Sequence, residues 1–378
     1  MSAELKVGSW LLTQRSKFKI QHSAPHCEGG WDLDTGEHSR NVHKILIVAP
    51  SWVGDTVLAQ PLFKLLHARH AGLALDVLAP RWTFALLQRM PEVRRAIESP
   101  FAHGDLKLGD RRRLGRALAT EGYDQAIVLP NTFKSALVPF FAGIRTRTGY
   151  LGEVRHWILS DARSLDKERL PQMAQRYAAL ALPRGEALRL PLPALALRVD
   201  EAARRALLAR LGLGRSRPAA ALCPGAEYGP AKRWPARYFG ELAQGLAAHG
   251  CEVWLIGSKN DRQTGAEIER FAGGVCRNLC GETTLAEAID LLASAALVVS
   301  NDSGLMHLAA ALGKPLIALY GSSSPAFTPP LSPNARILKL DLPCSPCFQR
   351  ECPLGHFNCM MQLTPDRVLG AVDFDRIS

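Results

Sequence analysis

Short apolar runs rich in β-branched residues recur along this chain, each followed by a turn and then by a segment with helical spacing. Residues 44–49 (KILIVA), 74–79 (ALDVLA) and 125–129 (QAIVL) are such runs, and residues 56–70, 82–90 and 111–121 carry the helical pattern. An unbroken apolar run fits a strand buried on both faces, as in a parallel sheet. Strand–helix alternation then predicts βαβ units. Residues 182–199 interrupt the pattern with three prolines, after which it restarts. Strands are expected at 219–223, 252–256, 296–300 and 315–320, with helices at 236–249, 261–272, 285–293 and 304–312. The expected architecture is α/β: two Rossmann-like domains facing across a cleft. Its parts are a loose N-terminal extension (1–42), an N-terminal domain (43–183), a linker (184–199) and a C-terminal domain (200–378). A chain of 378 residues is long enough for two such domains.

The composition narrows the class further. Hydrophobic residues make up 47% and charged residues 21%, which is globular and excludes a largely disordered chain. The longest apolar run, residues 135–144, falls short of the ~20 residues of a spanning helix. The first residues lack a small-residue cleavage site, so no signal peptide is expected. Nine cysteines over this length do not make a disulfide scaffold, and a reducing cytoplasm is the expected compartment. The net charge is +11, and residues 42–182 hold 20 Lys and Arg against 12 Asp and Glu. A basic half suits an anionic partner. Nucleic acid is not expected, because aromatics are only 7% and no nucleic-acid module is visible.

Three segments carry chemistry-bearing residues at strand ends, where open α/β sheets bind ligands. The first is residues 50–62 (PSWVGDTVLAQPL), in which Gly54 permits a tight turn and Asp55 stands at a helix start. An aspartate there serves as an N-cap or as a general base, and the residue type alone does not choose. The second is residues 224–235 (PGAEYGPAKRWP), a turn-rich loop that places Lys232 before a helix as a point charge for phosphates. Neither a Walker loop nor Gly-x-Gly-x-x-Gly is present, which counts against a dinucleotide oxidoreductase. The third is residues 300–315 (SNDSGLMHLAAALGKP), where Asp302 or Ser303 would cap a helix. Amides near Ser303 and Gly304 could hold an anion. His307 lies one turn further along and fits either a packed structural histidine or a site residue.

A fourth cluster lies near the C-terminus: Cys344, Cys347, Cys352, His356 and Cys359. Four of these could bind zinc, but there is only one Cys-x2-Cys pair. Zinc, a local disulfide and plain packing all fit the spacing.

At the first three segments the sequence resembles the ADP-heptose:lipopolysaccharide heptosyltransferases, glycosyltransferase family 9, with the GT-B fold. Residues 128–150 (VLPNTFKSALVPFFAGIRTRTGY) and 320–332 (YGSSSPAFTPPLS) extend the likeness, which runs from about residue 44 to the C-terminus. It is greatest to the members that add the second heptose. The resemblance implies an inverting, metal-independent transfer of L-glycero-D-manno-heptose from ADP-heptose to the lipopolysaccharide inner core, on heptosylated Kdo-lipid A. It implies a cytoplasmic enzyme peripheral to the inner membrane, with no required cofactor. Asp55 falls on the family's general base and Lys232 on its donor-phosphate lysine. Asp302, Ser303, Gly304 and His307 fall on the donor-contacting turn, and Ser258 and Lys259 where the adenosine is contacted.

The chemistry agrees with these residue types. A carboxylate takes the acceptor's proton, while Lys232 and the free amides receive the charge of the departing diphosphate. The acidic acceptor gives the basic N-terminal half a purpose. Lys134, Arg145 and Arg147 are the expected acceptor contacts, followed by Arg81 and by Arg111, Arg112 and Arg113. Alternatives are a transferase of the first-heptose type, a GT-B nucleotide-sugar epimerase and a non-catalytic nucleotide-sugar binder. The binder would have no need of Asp55.

Overall fold

A computed structural model describes residues 42–102, 104–214 and 216–377; apart from Val42, the expected loose extension lies outside them. The N-terminal half is built on β1 (Lys44–Val48), β2 (Ala74–Ala79), β3 (Arg95–Glu98), β4 (Gln125–Val128), β5 (Thr146–Tyr150) and β6 (Asp161–Arg163). They form a sheet in the order β3-β2-β1-β4-β5-β6, and every pairing in it is parallel. The C-terminal half repeats the plan. Its strands are β7 (Ala219–Cys223), β8 (Glu252–Leu255), β9 (Cys276–Asn278), β10 (Leu297–Asn301), β11 (Leu316–Tyr320) and β12 (Ala335–Lys339). Their order is β12-β11-β10-β7-β8-β9, again all parallel.

Each sheet reverses its strand order at one place, between β1 and β4 in the first and between β7 and β10 in the second. The loops there diverge to opposite faces and open a crevice beyond the strand ends. The two crevices hold the segments singled out above.

The central strands are apolar because both of their faces are covered. Ile45 and Ile47 enter one core and Leu46 and Val48 another, on the opposite face of the sheet. The core on the Ile45 side continues into the C-terminal half through Leu86, Leu87, Ile289 and Leu292. Residues 184–199 contain neither helix nor strand, yet they are held along the N-terminal half. Gln60 donates to the Ala196 carbonyl at 2.6 Å and accepts from its amide at 2.9 Å. Arg89 bonds the Arg198 carbonyl and also reaches Asp290 of the C-terminal half at 2.8 Å.

Candidate active site

Asp55 sits in the first turn of the helix Val53–Leu58, directly after β1. The N-cap position belongs to Trp52, and no side chain caps the helix. The expected helix over 56–70 begins three residues earlier and is divided, with a second helix at Gln60–Arg69 whose early proline interrupts the first. Asp55 is therefore inside the helix, not at its cap. Among the described residues its carboxylate has no hydrogen bond or ion pair. Burial pushes its pKa up to about 6, opposed by Lys232 and assisted by Asp302. A carboxyl tuned toward neutrality and left without a partner suits a general base.

Across from it, Lys232 closes the short turn Pro230–Lys232 after β7. Its Nζ donates to Asp302 Oδ2 at 2.6 Å and lies 5.0 Å from the centre of the Tyr228 ring. Asp302 is buried at the end of β10 and does not cap the following helix, Gly304–Ala311. Ser303 holds the N-cap position, but its side chain makes no capping bond, and its hydroxyl lies 3.3 Å from that of Ser300. The first amides of this helix are thus left for an anion.

His307 is buried, and burial lowers its pKa to about 4, so the ring is neutral at physiological pH. Its Nδ1 is buried without a partner, while the other edge of the ring packs on Gly54. Gly304 in turn packs against Val53 and the Gly54 amide. The helices that begin at Val53 and Gly304 therefore meet end to end, one from each half. Ser258 stands after β8, bonded to Asp261 Oδ2 at 2.7 Å and to Glu227 Oε1 at 3.4 Å. Lys259 follows it in the turn Lys259–Asp261.

The structure separates the expected acceptor residues. Lys134 lies after β4 on the crevice edge of the sheet. Arg145 and Arg147 lie at the amino end of β5, the opposite edge. Arg147 is also spent on the carbonyls of Ile158, at 2.6 Å, and Ile144. These two arginines are not brought to the site, because a parallel sheet carries all its carboxyl ends to one side. Arg81 lies after β2, on the crevice edge. Arg111 is buried and bonds the carbonyls of Asp105, Leu106 and Lys134, whereas Arg112 and Arg113 are exposed.

The cysteine segment has a definite place. Cys344, Cys347, Cys352, His356 and Cys359 line one small cavity of about 20 Å³. The four cysteines are free thiols, and no three His, Cys, Asp or Glu side chains among the described residues are grouped to hold a metal ion. The same segment braces the Lys232 loop. Ala231 donates its amide to the Arg350 carbonyl at 3.0 Å, Arg350 Nε donates to the Tyr228 carbonyl at 2.7 Å, and the Tyr228 hydroxyl donates to the Phe348 carbonyl at 2.7 Å. Arg350 and Tyr228 escaped the sequence reading. Tyr228 stood within the Lys232 loop, but Arg350 gave no signal. Tyr177 was also missed; burial, assisted by nearby Asp55, holds its phenol well above the usual range.

Two Rossmann-like halves, with an unpartnered acid on one and a lysine and an open helix end on the other, form the GT-B arrangement. Residues 111–358 match glycosyltransferase family 9 (heptosyltransferase). The chain is 48% identical over 335 residues to lipopolysaccharide heptosyltransferase 2 of Salmonella typhimurium, covering 86% of this chain and 96% of that one. It is 44% identical over 340 residues to lipooligosaccharide heptosyltransferase 2 of Haemophilus ducreyi, covering 86% and 97%. The solved structure of the E. coli ADP-heptose LPS heptosyltransferase II superposes with a TM-score of 0.78 at 46% identity, covering 86% and 96%. The chain belongs to glycosyltransferase family 9.

Proposed function

We infer that this glycosyltransferase moves L-glycero-D-manno-heptose from ADP-heptose to the heptose-bearing Kdo-lipid A inner core of lipopolysaccharide. The observation that carries the reading is the unpartnered Asp55 carboxyl, its pKa raised to about 6, set against the Lys232–Asp302 pair across the crevice. Asp55 takes the proton of the acceptor hydroxyl as that oxygen bonds the anomeric carbon. The bond from that carbon to the diphosphate breaks, ADP leaves on the opposite side, and the configuration inverts. Lys232 and the amides that open the helix Gly304–Ala311 receive the charge on the departing diphosphate, before any reorganisation is needed. Ser258 and Lys259 lie toward the adenosine, and Lys134 toward the anionic acceptor.

The high-identity relatives carry the heptosyltransferase 2 name, which supports the second-heptose acceptor over the first. The test is incubation with ADP-heptose and mono-heptosylated core, reading ADP release and a heavier acceptor. Transfer only to core without heptose would assign the first-heptose reaction, and free-sugar product would assign an epimerase. In this reading turnover survives chelation, because Lys232 and the helix amides supply the positive charge. Zinc on the 344–359 segment would be structural. Metal analysis of chelator-free protein decides it, and a result without stoichiometric metal leaves packing as the segment's role. The reaction is placed at the cytoplasmic face of the inner membrane with the enzyme bound peripherally. No helix among the described residues is long and apolar enough to cross a membrane.

A further inference from the structure

Exposed apolar side chains are unevenly distributed over the N-terminal half. Trp52 follows β1, Trp82 follows β2, Leu106 and Leu108 follow β3, and Leu151, Val154 and Trp157 follow β5. Because all six strands are parallel, every one of these loops leaves from the same edge of the sheet. Val42, Phe140 and, on the linker held along this half, Leu190 are the other large apolar side chains exposed here among the described residues. Val154 is 66% exposed and Trp157 59%. Trp157 packs beside the half-buried Phe133, with ring centres 6.0 Å apart.

The loops that present these side chains are firmly built. Arg155, fully buried, bonds the carbonyls of Pro130, Thr132 and Tyr150 and the side chain of Asn131, so it ties the loops after β4 and β5 together. Arg111 does the same for the loop after β3, joining it to Lys134. With their backbone carbonyls satisfied from within, the loops hold apolar tips toward solvent. The exposed cations Arg81 and Arg112 stand among them without an acidic partner among the described residues, while Lys107 and Arg113 are paired with Asp105 and Asp110. Tryptophan and aliphatic tips set among cations match the boundary of an anionic bilayer, where the rings enter the headgroup layer and the cations meet phosphates.

We propose that the loops after β3 and β5, flanking the crevice at the carboxyl edge of the N-terminal sheet, form a membrane-docking face that seats on an anionic phospholipid surface through Leu106, Leu108, Leu151, Val154 and Trp157. Asp55 lies on the same edge, so docking brings the crevice to a glycan that projects from the bilayer. The proposal rests on the reading of the acceptor as a lipid-anchored glycan, but docking itself needs neither donor nor acceptor.

The experiment is flotation of the full chain with vesicles of phosphatidylethanolamine and phosphatidylglycerol, against phosphatidylcholine alone, with no sugar substrate present. The wild type should float with the anionic vesicles and not with the neutral ones, and added salt should weaken the binding. Val154→Ser/Trp157→Ser and Leu106→Ser/Leu108→Ser should each lose at least about tenfold in vesicle binding. Both should keep wild-type turnover on a deacylated, water-soluble acceptor. A wild type that ignores anionic vesicles, or variants that bind them as the wild type does, overturns the proposal. Equal losses in vesicle binding and in turnover on the soluble acceptor would make these side chains sugar contacts and also overturn it. Wild-type inactivity on every acceptor would instead count against the functional reading and leave the flotation result standing.

Discussion

A Cβ placed on Gly54 would lie 2.9 Å from Cδ2 of His307, so the helix that carries Asp55 meets the helix Gly304–Ala311 with an imidazole ring packed on its backbone. The imidazole is buried, and close-packed interiors leave a ring little room to shift. Gly54→Ala should therefore push the two helix starts apart. Turnover should fall at least about tenfold, ~1.4 kcal/mol, while the protein still melts cooperatively. Steady-state kinetics with a thermal melt checks this.

Asp55→Asn removes the carboxylate proposed as the proton acceptor and should lower kcat at least ~100-fold at saturating substrates. In the wild type, kcat/KM should fall as pH drops through about 6, where Asp55 becomes protonated. The stability sign is opposite. Because the folded pKa is raised, Asp55 favours folding most below its unfolded value, and that contribution is lost as pH rises through about 6. Asp55→Asn should thus melt no lower than the wild type at pH 8, and higher if burial of the charge outweighs the helix dipole. Melts at pH 5 and pH 8 test the sign, and a variant with near-normal kcat would remove Asp55 from the reaction.

His307 is neutral throughout the working range, with a pKa near 4. The acid limb near pH 6 should persist in His307→Gln, even where overall turnover drops. A pH–rate profile of that variant without the limb would transfer the titration from Asp55 to His307.

Lys232→Ala removes the partner of a buried carboxylate as well as the proposed phosphate contact. Leaving Asp302 unpaired should cost about 3–5 kcal/mol of stability, and the KM for ADP-heptose should rise at least about tenfold. Adding Asp302→Asn to Lys232→Ala should restore most of the stability without restoring donor affinity. Chemical denaturation and donor titration of the single and double variants separate the two roles.

Arg350→Ala withdraws the guanidinium from the Tyr228 carbonyl while leaving its own carbonyl free to accept from Ala231. The loop that carries Lys232 should loosen. The KM for ADP-heptose should rise by about 3- to 10-fold, on the scale of one ordinary hydrogen bond, with a smaller change in kcat. A change confined to kcat would mean that the segment acts elsewhere.

The central strands were legible in the sequence because their burial on both faces writes itself as uninterrupted apolar runs; β1, β2, β4, β7, β8, β10 and β11 all lie within a residue of their expected bounds. The strands not anticipated include all four sheet edges, β3, β6, β9 and β12, whose partly exposed residues carry no such signature. β5 was also missed, since its first residues are polar and not fully buried. Asp55, Lys232, Asp302 and His307 could be named from local motifs, since a turn between strand and helix is a short-range feature. Tertiary structure alone decided that Asp55 is uncapped and unpartnered, and that Arg350 reaches a loop 122 residues away. It also sent Arg145 and Arg147 to the far edge. Side-chain chemistry is local, but which edge of a parallel sheet a residue occupies depends on how all the strands are stacked.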